Sequence, residues 1–224
     1  MDISTKGLIE IMSHEGVCLS PYLDSVGVWT IGVGITKYDG KDPRDFGVIT
    51  MEQAIQMFKD RIRSYVTPVQ KLGLKLTQEQ FDALVSFCFN CGPGNLKKLT
   101  TGRSVAAIGT ALMLYTKPKE ITPRRQKEQK LYQFGKYSSN GLVPVFPVSA
   151  SHKPQYAKSV MIDALHYLSQ APAPVQPPKP GPAPVQDRPA IVAEPTMEQS
   201  WLDVDLMPGE GRLTLRDILE KLGG

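Results

Sequence analysis

Along the first 170 residues, polar residues that can cap a helix stand repeatedly in front of apolar runs. Ser4 predicts the start of a helix that reaches about Glu15 and stops at Gly16. Thr50 with Gln53 forms a Thr-x-x-Gln capping box, which predicts a helix to about Val66, ahead of Pro68. Thr77 with Gln80 repeats the device in front of an apolar helix running through Cys88 towards Gly92. Ser104 to Tyr115 has the pattern of a further helix. Thr122 followed by Pro123 predicts another, to about Phe134, and Tyr156 to Leu168 has the pattern of a last one. One stretch breaks the helical period. Ser20 to Thr36 is rich in Tyr, Val, Trp, Thr and Ile and is punctuated by Gly27, Gly32 and Gly34, the composition of a hairpin or small sheet. Gly141 to Val148 is rich in Val and Pro and reads as extended. Helix, small sheet, then helices is an α+β order: a mainly helical domain with a small antiparallel sheet.

The pattern changes near residue 170. Ala171 to Ala190 contains eight prolines, a density that no helix or central strand survives. It predicts a Pro-rich linker over 171–190, extended in polyproline fashion, which separates a domain at 1–170 from an acidic tail at 191–224. Within the tail, Leu215, Ile218, Leu219 and Leu222 fall on one helical stripe. Thr214 is positioned to cap it and Gly223 to stop it. A helix this short is marginal alone, so 213–222 is expected to dock, either on its own domain or on another protein.

The chain has 224 residues, 41% hydrophobic and 21% charged, with a formal net charge of +4. That balance suits a folded globular protein and is compatible with nucleic acid, an anionic membrane or an anionic wall without choosing among them. No run of about 18 apolar residues is present, so no transmembrane helix is expected. Met1 to Met12 lacks a basic segment followed by an apolar run, so no secretory signal is expected and synthesis is placed in the cytoplasm. Cys18, Cys88 and Cys91 are too few for a disulfide framework. The single Cys88-x-x-Cys91 lies in an apolar helix and is expected to be core rather than a metal or redox site. The basic stretch from Lys117 to Lys130 has no aromatic stacking platform beside it. A solvated helix face with one inward arginine is expected there rather than a nucleic-acid surface.

Two carboxyls carry candidate chemistry. Glu15 sits at the end of the first predicted helix, where the partial negative charge of the helix terminus disfavours a carboxylate. A residue so placed against local preference is a candidate general acid, although a glutamate at a helix end is more often a solvated charge. Asp24 lies in the turn Asp24-Ser25-Val26-Gly27, where aspartate is common for its own backbone bonding. A hairpin returning over the helix end would bring Asp24 and Thr30 to face Glu15 across a groove. Cleavage of a glycosidic bond needs such a pair, one carboxyl protonated and one ionised. The alternatives are a solvated helix end, a turn aspartate and a cross-strand threonine.

The run Lys6-Gly7-Leu8, Glu15-Gly16, Pro21-Tyr22-Leu23-Asp24-Ser25-Val26-Gly27 and Trp29-Thr30-Ile31-Gly32-Val33-Gly34-Ile35-Thr36 resembles the phage lysozyme family (glycoside hydrolase family 24). So do Leu76-Thr77-x-x-Gln80-Phe81-Asp82-Ala83-Leu84-Val85-Ser86-Phe87 with Asn90 and Gly92, and Thr122-Pro123-Arg124-Arg125. The resemblance covers about residues 3 to 135 and continues more weakly to 168. It implies a two-lobed fold with a cleft between hairpin lobe and helical lobe. It also implies a muramidase that hydrolyses the β-1,4 bond between N-acetylmuramic acid and N-acetylglucosamine in peptidoglycan, with no metal or organic cofactor. By the resemblance, Glu15 is the general acid and Asp24 the carboxylate that stabilises the cationic transition state or positions water. Thr30 helps hold that water, and inversion at the anomeric carbon is the expected outcome. Arg125 aligns with an arginine that salt-bridges the catalytic glutamate, and Asn90 with a position that contacts sugar. The family usually has His where Ile35 stands, which implies altered packing there. His14 is expected to be a surface or helix-end histidine.

Such an enzyme would reach the wall through a holin-type pore or be carried in a virion. The linker and tail favour the second route, in which 213–222 docks on a virion protein and the chain is partly a structural component. A lytic transglycosylase or a chitinase is the remaining alternative. The former needs only one carboxyl, and a nucleic-acid-binding module is more distant.

Overall fold

A computed structural model describes residues 1–169. The proline-rich linker and the tail with its 213–222 stripe lie outside the described residues.

The first helix, α1, spans Thr5–Glu15, and Ser4 caps it by accepting from the Gly7 N–H, as the sequence predicts. Its buried face carries Leu8, Ile9, Ile11 and Met12. Gly16 ends it at φ 75°, ψ 177°, a conformation open to glycine alone, and donates its N–H to Met12 O. The chain then forms β1 (Cys18–Leu23) and β2 (Trp29–Gly32), an antiparallel hairpin in which Tyr22 opposes Thr30 and Leu23 opposes Trp29.

Helix α2 runs Met51–Gln70 from the Thr50–Gln53 capping box. It does not end at Val66. Pro68 sits in its last turn, where the missing N–H costs one bond, and Val66 and Val69 keep burying their side chains. Helix α3, Gln78–Thr100, starts at the Thr77–Gln80 box. Gly92 at φ 78°, ψ 163° interrupts it, where the sequence expects an end, and Pro93 opens a second segment that the sequence did not suggest. Helix α4 spans Val105–Ala111 with Ser104 as its cap, and α5 spans Thr122–Phe134.

The last expected helix is only partly one. Strand β3 (Leu142–Val145) pairs antiparallel with β4 (Val160–Asp163), so most of Tyr156–Leu168 is strand and turn, and the short α6 covers only Ala164–Leu168. Val160, Met161 and Ile162 meet Val145, Pro144 and Val143 across the ladder, and this non-local pairing overrides their local helical pattern. The domain thus has two small sheets, not one. Val17 joins them by donating its N–H to Pro144 O at 2.9 Å and accepting from Phe146 N at 2.8 Å.

The apolar core lies between α1, α2, α3 and α5. It includes Ile11, Met12, Phe58, Leu84 and Phe87, all fully enclosed. Ile35, where altered packing was expected, is 1% exposed; it exchanges both backbone bonds with Ile31 at 2.9 Å and packs as core. No helix among the described residues is long and apolar enough to cross a membrane.

Candidate active site

Glu15 ends α1 and is partly exposed, while its neighbour Gly16 lets the chain turn directly into β1. Arg124, in the first turn of α5, donates from Nη1 to Glu15 Oε1 at 2.6 Å. Its Nε donates to Glu128 Oε1 at 3.1 Å, and its Nη2 reaches Ser86 O at 3.4 Å. Burial opposes the charge of Arg124, but Glu15 and Glu128 more than offset this, and its guanidinium is held protonated more firmly than usual.

Here the sequence reading is corrected. Arg125 does not pair with Glu15. It is fully buried, donates to Glu128 Oε2 and to Asn90 Oδ1, and lies over the Phe87 ring with its guanidinium carbon 5.0 Å from the centroid. Helical geometry explains the exchange. Adjacent residues on α5 point about 100° apart, so only one of two consecutive arginines faces the end of α1 while the other faces α3. Two arginines of the basic stretch therefore turn inward, not one. Asn90, expected to contact sugar, spends its amide oxygen on Arg125.

Asp24 is half-buried at the mouth of the hairpin. Its Oδ1 accepts from Val26 N at 3.0 Å and Val28 N at 2.8 Å, and its own N–H donates to Val28 O at 3.0 Å. Thr30 is 3% exposed and donates its hydroxyl to Val28 O at 3.1 Å. Both residues therefore close the hairpin. Tyr22, on β1 opposite Thr30, links the groups electrostatically. Burial chiefly raises its phenol pKa, and the negative charges that add to the rise include Asp24 and Glu15. The structure thus places Glu15 before β1, Asp24 after it and Thr30 opposite Tyr22 on β2, while Asn90 and Arg125 join the cluster through Glu128 and Arg124.

The hairpin is braced from the far end of the domain. Leu23 N donates to His152 O at 2.7 Å, and Lys153 Nζ to Asp24 O at 3.3 Å. The His152 ring meets Trp29 edge-on at 4.8 Å, while the Arg44 guanidinium lies 5.4 Å from the Trp29 centroid on the hairpin rim.

A family model described as phage lysozyme matches residues 12–128, more than half of the chain. The chain belongs to the phage lysozyme family. The endolysin of Salmonella phage P22 is 33% identical over 143 residues, covering 59% of this chain and 98% of that protein. The endolysin of Bacillus phage PZA is 34% identical over 148 residues, covering 60% of this chain and 56% of its own length. Among solved structures, the endolysin of Escherichia coli O157:H7 phage FAHEc1 superposes with a TM-score of 0.57 at 32% identity, covering 62% of this chain and 98% of that one. A variant of P22 lysozyme does so at 0.53 and 32%, covering 59% and 98%. The lysozyme is accordingly a glycoside hydrolase that acts on peptidoglycan.

Several positions beside the candidate site escaped the sequence. Glu128 and Ser86 complete the buried cluster behind Glu15, Ser86 Oγ donating to Glu128 Oε1 at 2.7 Å. A signal for Glu128 existed: it stands four residues after Arg124 and three after Arg125, the helical spacing for ion pairs. His14 lies in the last turn of α1, a helix-end histidine as expected, but its side chain is 6% exposed rather than at the surface, with Nε2 3.5 Å from Glu10. Cys88 is core as expected, its thiol pushed up to about 12 by burial. An apolar cavity of about 250 Å³ is lined by residues that include Leu19, Met51, Phe146, Val160 and Tyr167. Glu15, Asp24 and Thr30 do not line it, and it carries no carboxyl, so the chemistry is not there.

Proposed function

We propose that this lysozyme is a muramidase in which Glu15 is the general acid that protonates the leaving glycosidic oxygen. It cleaves the β-1,4 bond between N-acetylmuramic acid and N-acetylglucosamine. Asp24 is the second carboxyl, stabilising the oxocarbenium-like transition state or orienting water, and Thr30 helps to hold that water. The observation that supports this best is the position of Glu15. It is a partly exposed carboxylate at a helix end, gripped from behind by Arg124, beside the hairpin that carries Asp24 and Thr30. Asn90 and Arg125 act through the cluster behind Glu15. Displacement by water across such a pair is expected to invert the anomeric carbon, and the anomer of freshly released product tests that.

One observation favours a second reading, the lytic transglycosylase. Asp24 is engaged in its own turn through two backbone N–H groups, a use that needs no catalysis. A single-acid mechanism would then suffice, the C6 hydroxyl of muramic acid taking the place of water. Purified peptidoglycan digested by wild type, Glu15→Gln and Asp24→Asn separates the two. A muramidase yields reducing muramic acid ends and loses on the order of 10²–10⁴-fold of its rate without its acid. Anhydromuramoyl ends with Asp24→Asn fully active would replace it by the transglycosylase. An active Glu15→Gln would overturn the acid assignment in either case. The lysozyme's place of action is the cell wall, reached after release from the cytoplasm.

A further inference from the structure

Behind Glu15 lie four charged groups in contact: Glu15, Arg124, Glu128 and Arg125. Glu128 is the centre of the set. It is 1% exposed, and every bond it accepts comes from the machinery around the proposed acid: Arg124 Nε at 3.1 Å, Arg125 Nη1, and Ser86 Oγ at 2.7 Å. A guanidinium is a rigid planar fork. Once Glu128 holds Nε, the plane of Arg124 is fixed, and Nη1 points at Glu15 Oε1 at 2.6 Å. Arg125 is held in turn by Asn90.

We infer that Glu128 is a positioning residue for Glu15: it aims Arg124 at the acid and keeps the charge of the buried cluster at zero. This rests on Glu15 being the acid. With both carboxylates ionised, two negative charges meet two guanidiniums. When Glu15 takes up a proton for catalysis, the cluster carries a single net positive charge. Without the Glu128 charge, it would carry two, with Arg124 and Arg125 largely shielded from water behind the partly exposed Glu15, and the proton on Glu15 would be opposed. The other groups facing the cluster are the same in every variant compared. From α3 they are Ser86, Asn90 and the Cys91 thiol, which burial keeps protonated. From β1 comes the Tyr22 phenol, likewise kept neutral, and from the turn after β1 the Asp24 carboxyl. A purely structural Glu128 would change stability and leave the pH dependence of catalysis alone.

The test is the pH profile of kcat/KM on purified peptidoglycan for the full chain, with thermal unfolding measured in parallel. Glu128→Gln should move the alkaline limb, where the acid loses its proton, to lower pH by roughly one unit, the low end of the effect of a neighbouring charge, because Glu128 acts on Glu15 across Arg124. Adding Arg125→Gln restores the charge count and should return the limb towards wild type. A folded Glu128→Gln whose limb coincides with wild type overturns the inference. If that single variant does not fold, Arg125→Gln alone is compared with the double variant. Its cluster is one charge more negative, so its limb should lie about one unit higher. Coincident limbs for that pair overturn the inference equally. Glu15→Gln in the same panel separates the two levels. Full activity there removes the acid assignment, whereas an inactive Glu15→Gln with coincident limbs removes only the role of Glu128.

Discussion

Gly16 is the position where the demands of the fold meet most sharply, and replacing it with alanine is a quantitative test of how the acid is held. Two costs add. The backbone stands at φ 75°, ψ 177°, which L side chains rarely adopt, and holding alanine there costs about 1–3 kcal/mol. The new Cβ would also lie 2.1 Å from Phe146 Cε2 and 2.9 Å from two further atoms of that ring. The ring must therefore move by more than an ångström, on the order of 1–3 kcal/mol for an overpacked contact. Tyr156 meets the ring at 5.0 Å and the backbone N–H of Phe146 is bonded to Val17 O at 2.8 Å, so the ring must turn about its side-chain bonds towards the cavity that it lines. The sum is about 4 kcal/mol, a large part of a domain's whole stability, and should lower Tm by roughly 10 °C in a domain this size. Urea unfolding of Gly16→Ala, Phe146→Ala and the double variant measures it. Truncating the ring relieves the clash but not the backbone, so the double variant should recover about 1–3 kcal/mol relative to additivity. A Gly16→Ala protein within about 0.5 kcal/mol of wild type would refute the account of this turn. A purely additive cycle would refute the clash.

Other outcomes follow from the same contacts. Asp24→Asn keeps an acceptor for Val26 and Val28, so its melting should stay close to wild type while hydrolysis falls. Asp24→Ala loses both bonds and should cost about 1–2 kcal/mol in urea unfolding as well. Glu10 is buried, which opposes its charge, but His14, Ser138 and Ser139 more than compensate, and its pKa is lowered from 4.5. Its contribution is therefore present above that value and lost as pH falls through the lower folded-state pKa. A Glu10→Gln variant should be less stable at pH 7 and show a flatter loss of stability on acidification below about pH 4.5, followed by circular dichroism. A chain cut after residue 140 still contains the family-matched 12–128 but lacks Val143, which is fully buried, and the Pro144 carbonyl that receives Val17. It should melt well below a chain ending at 169, and equal melting temperatures would show that β3 and β4 are dispensable.

What could be read from the sequence was what is local. Caps at Ser4, Thr50, Thr77 and Ser104 place helix starts because each satisfies orphan N–H groups within its own first turn. Gly16 and Gly92 mark ends because the chain needs positive φ there. The hairpin was legible from its composition, and the place of Glu15 at a helix end from the Gly16 stop. What failed depends on partners distant in the chain. Val160 to Ile162 are strand because β3 is there to pair with them, a separation that local periodicity does not carry. The exchange of Arg124 for Arg125 turns on about 100° of helix rotation, which follows from how α5 packs on α3 and not from alignment of a two-residue motif. Glu128 lies past the motif, where a single acid among Lys127, Gln129 and Lys130 reads as an exposed helix face.

Three carboxylates among the described residues are 1% exposed, Glu10, Asp82 and Glu128, and together they fix α1 along its length. At its start, Asp82 accepts from Ser4 N at 3.0 Å, from the Ser4 hydroxyl and from Tyr137 Oη at 2.7 Å. Gly7 packs so closely on it that a Cβ would fall 2.5 Å from the Asp82 carboxyl carbon. In the middle, Glu10 accepts from the N–H groups of Ser138 and Ser139, both at 2.9 Å, and so ties the chain leaving α5 to α1. At its end, Glu15 meets Arg124, itself held by Glu128. An apolar face alone resists sliding weakly, because dispersion contacts are non-directional and can be remade one turn along. A buried carboxylate has no such alternative, since any displacement leaves a desolvated charge without donors. The register of α1 is therefore set by these three clamps. The Glu15 carboxyl stands where it does because the helix behind it cannot rotate or shift by a residue without breaking all of them.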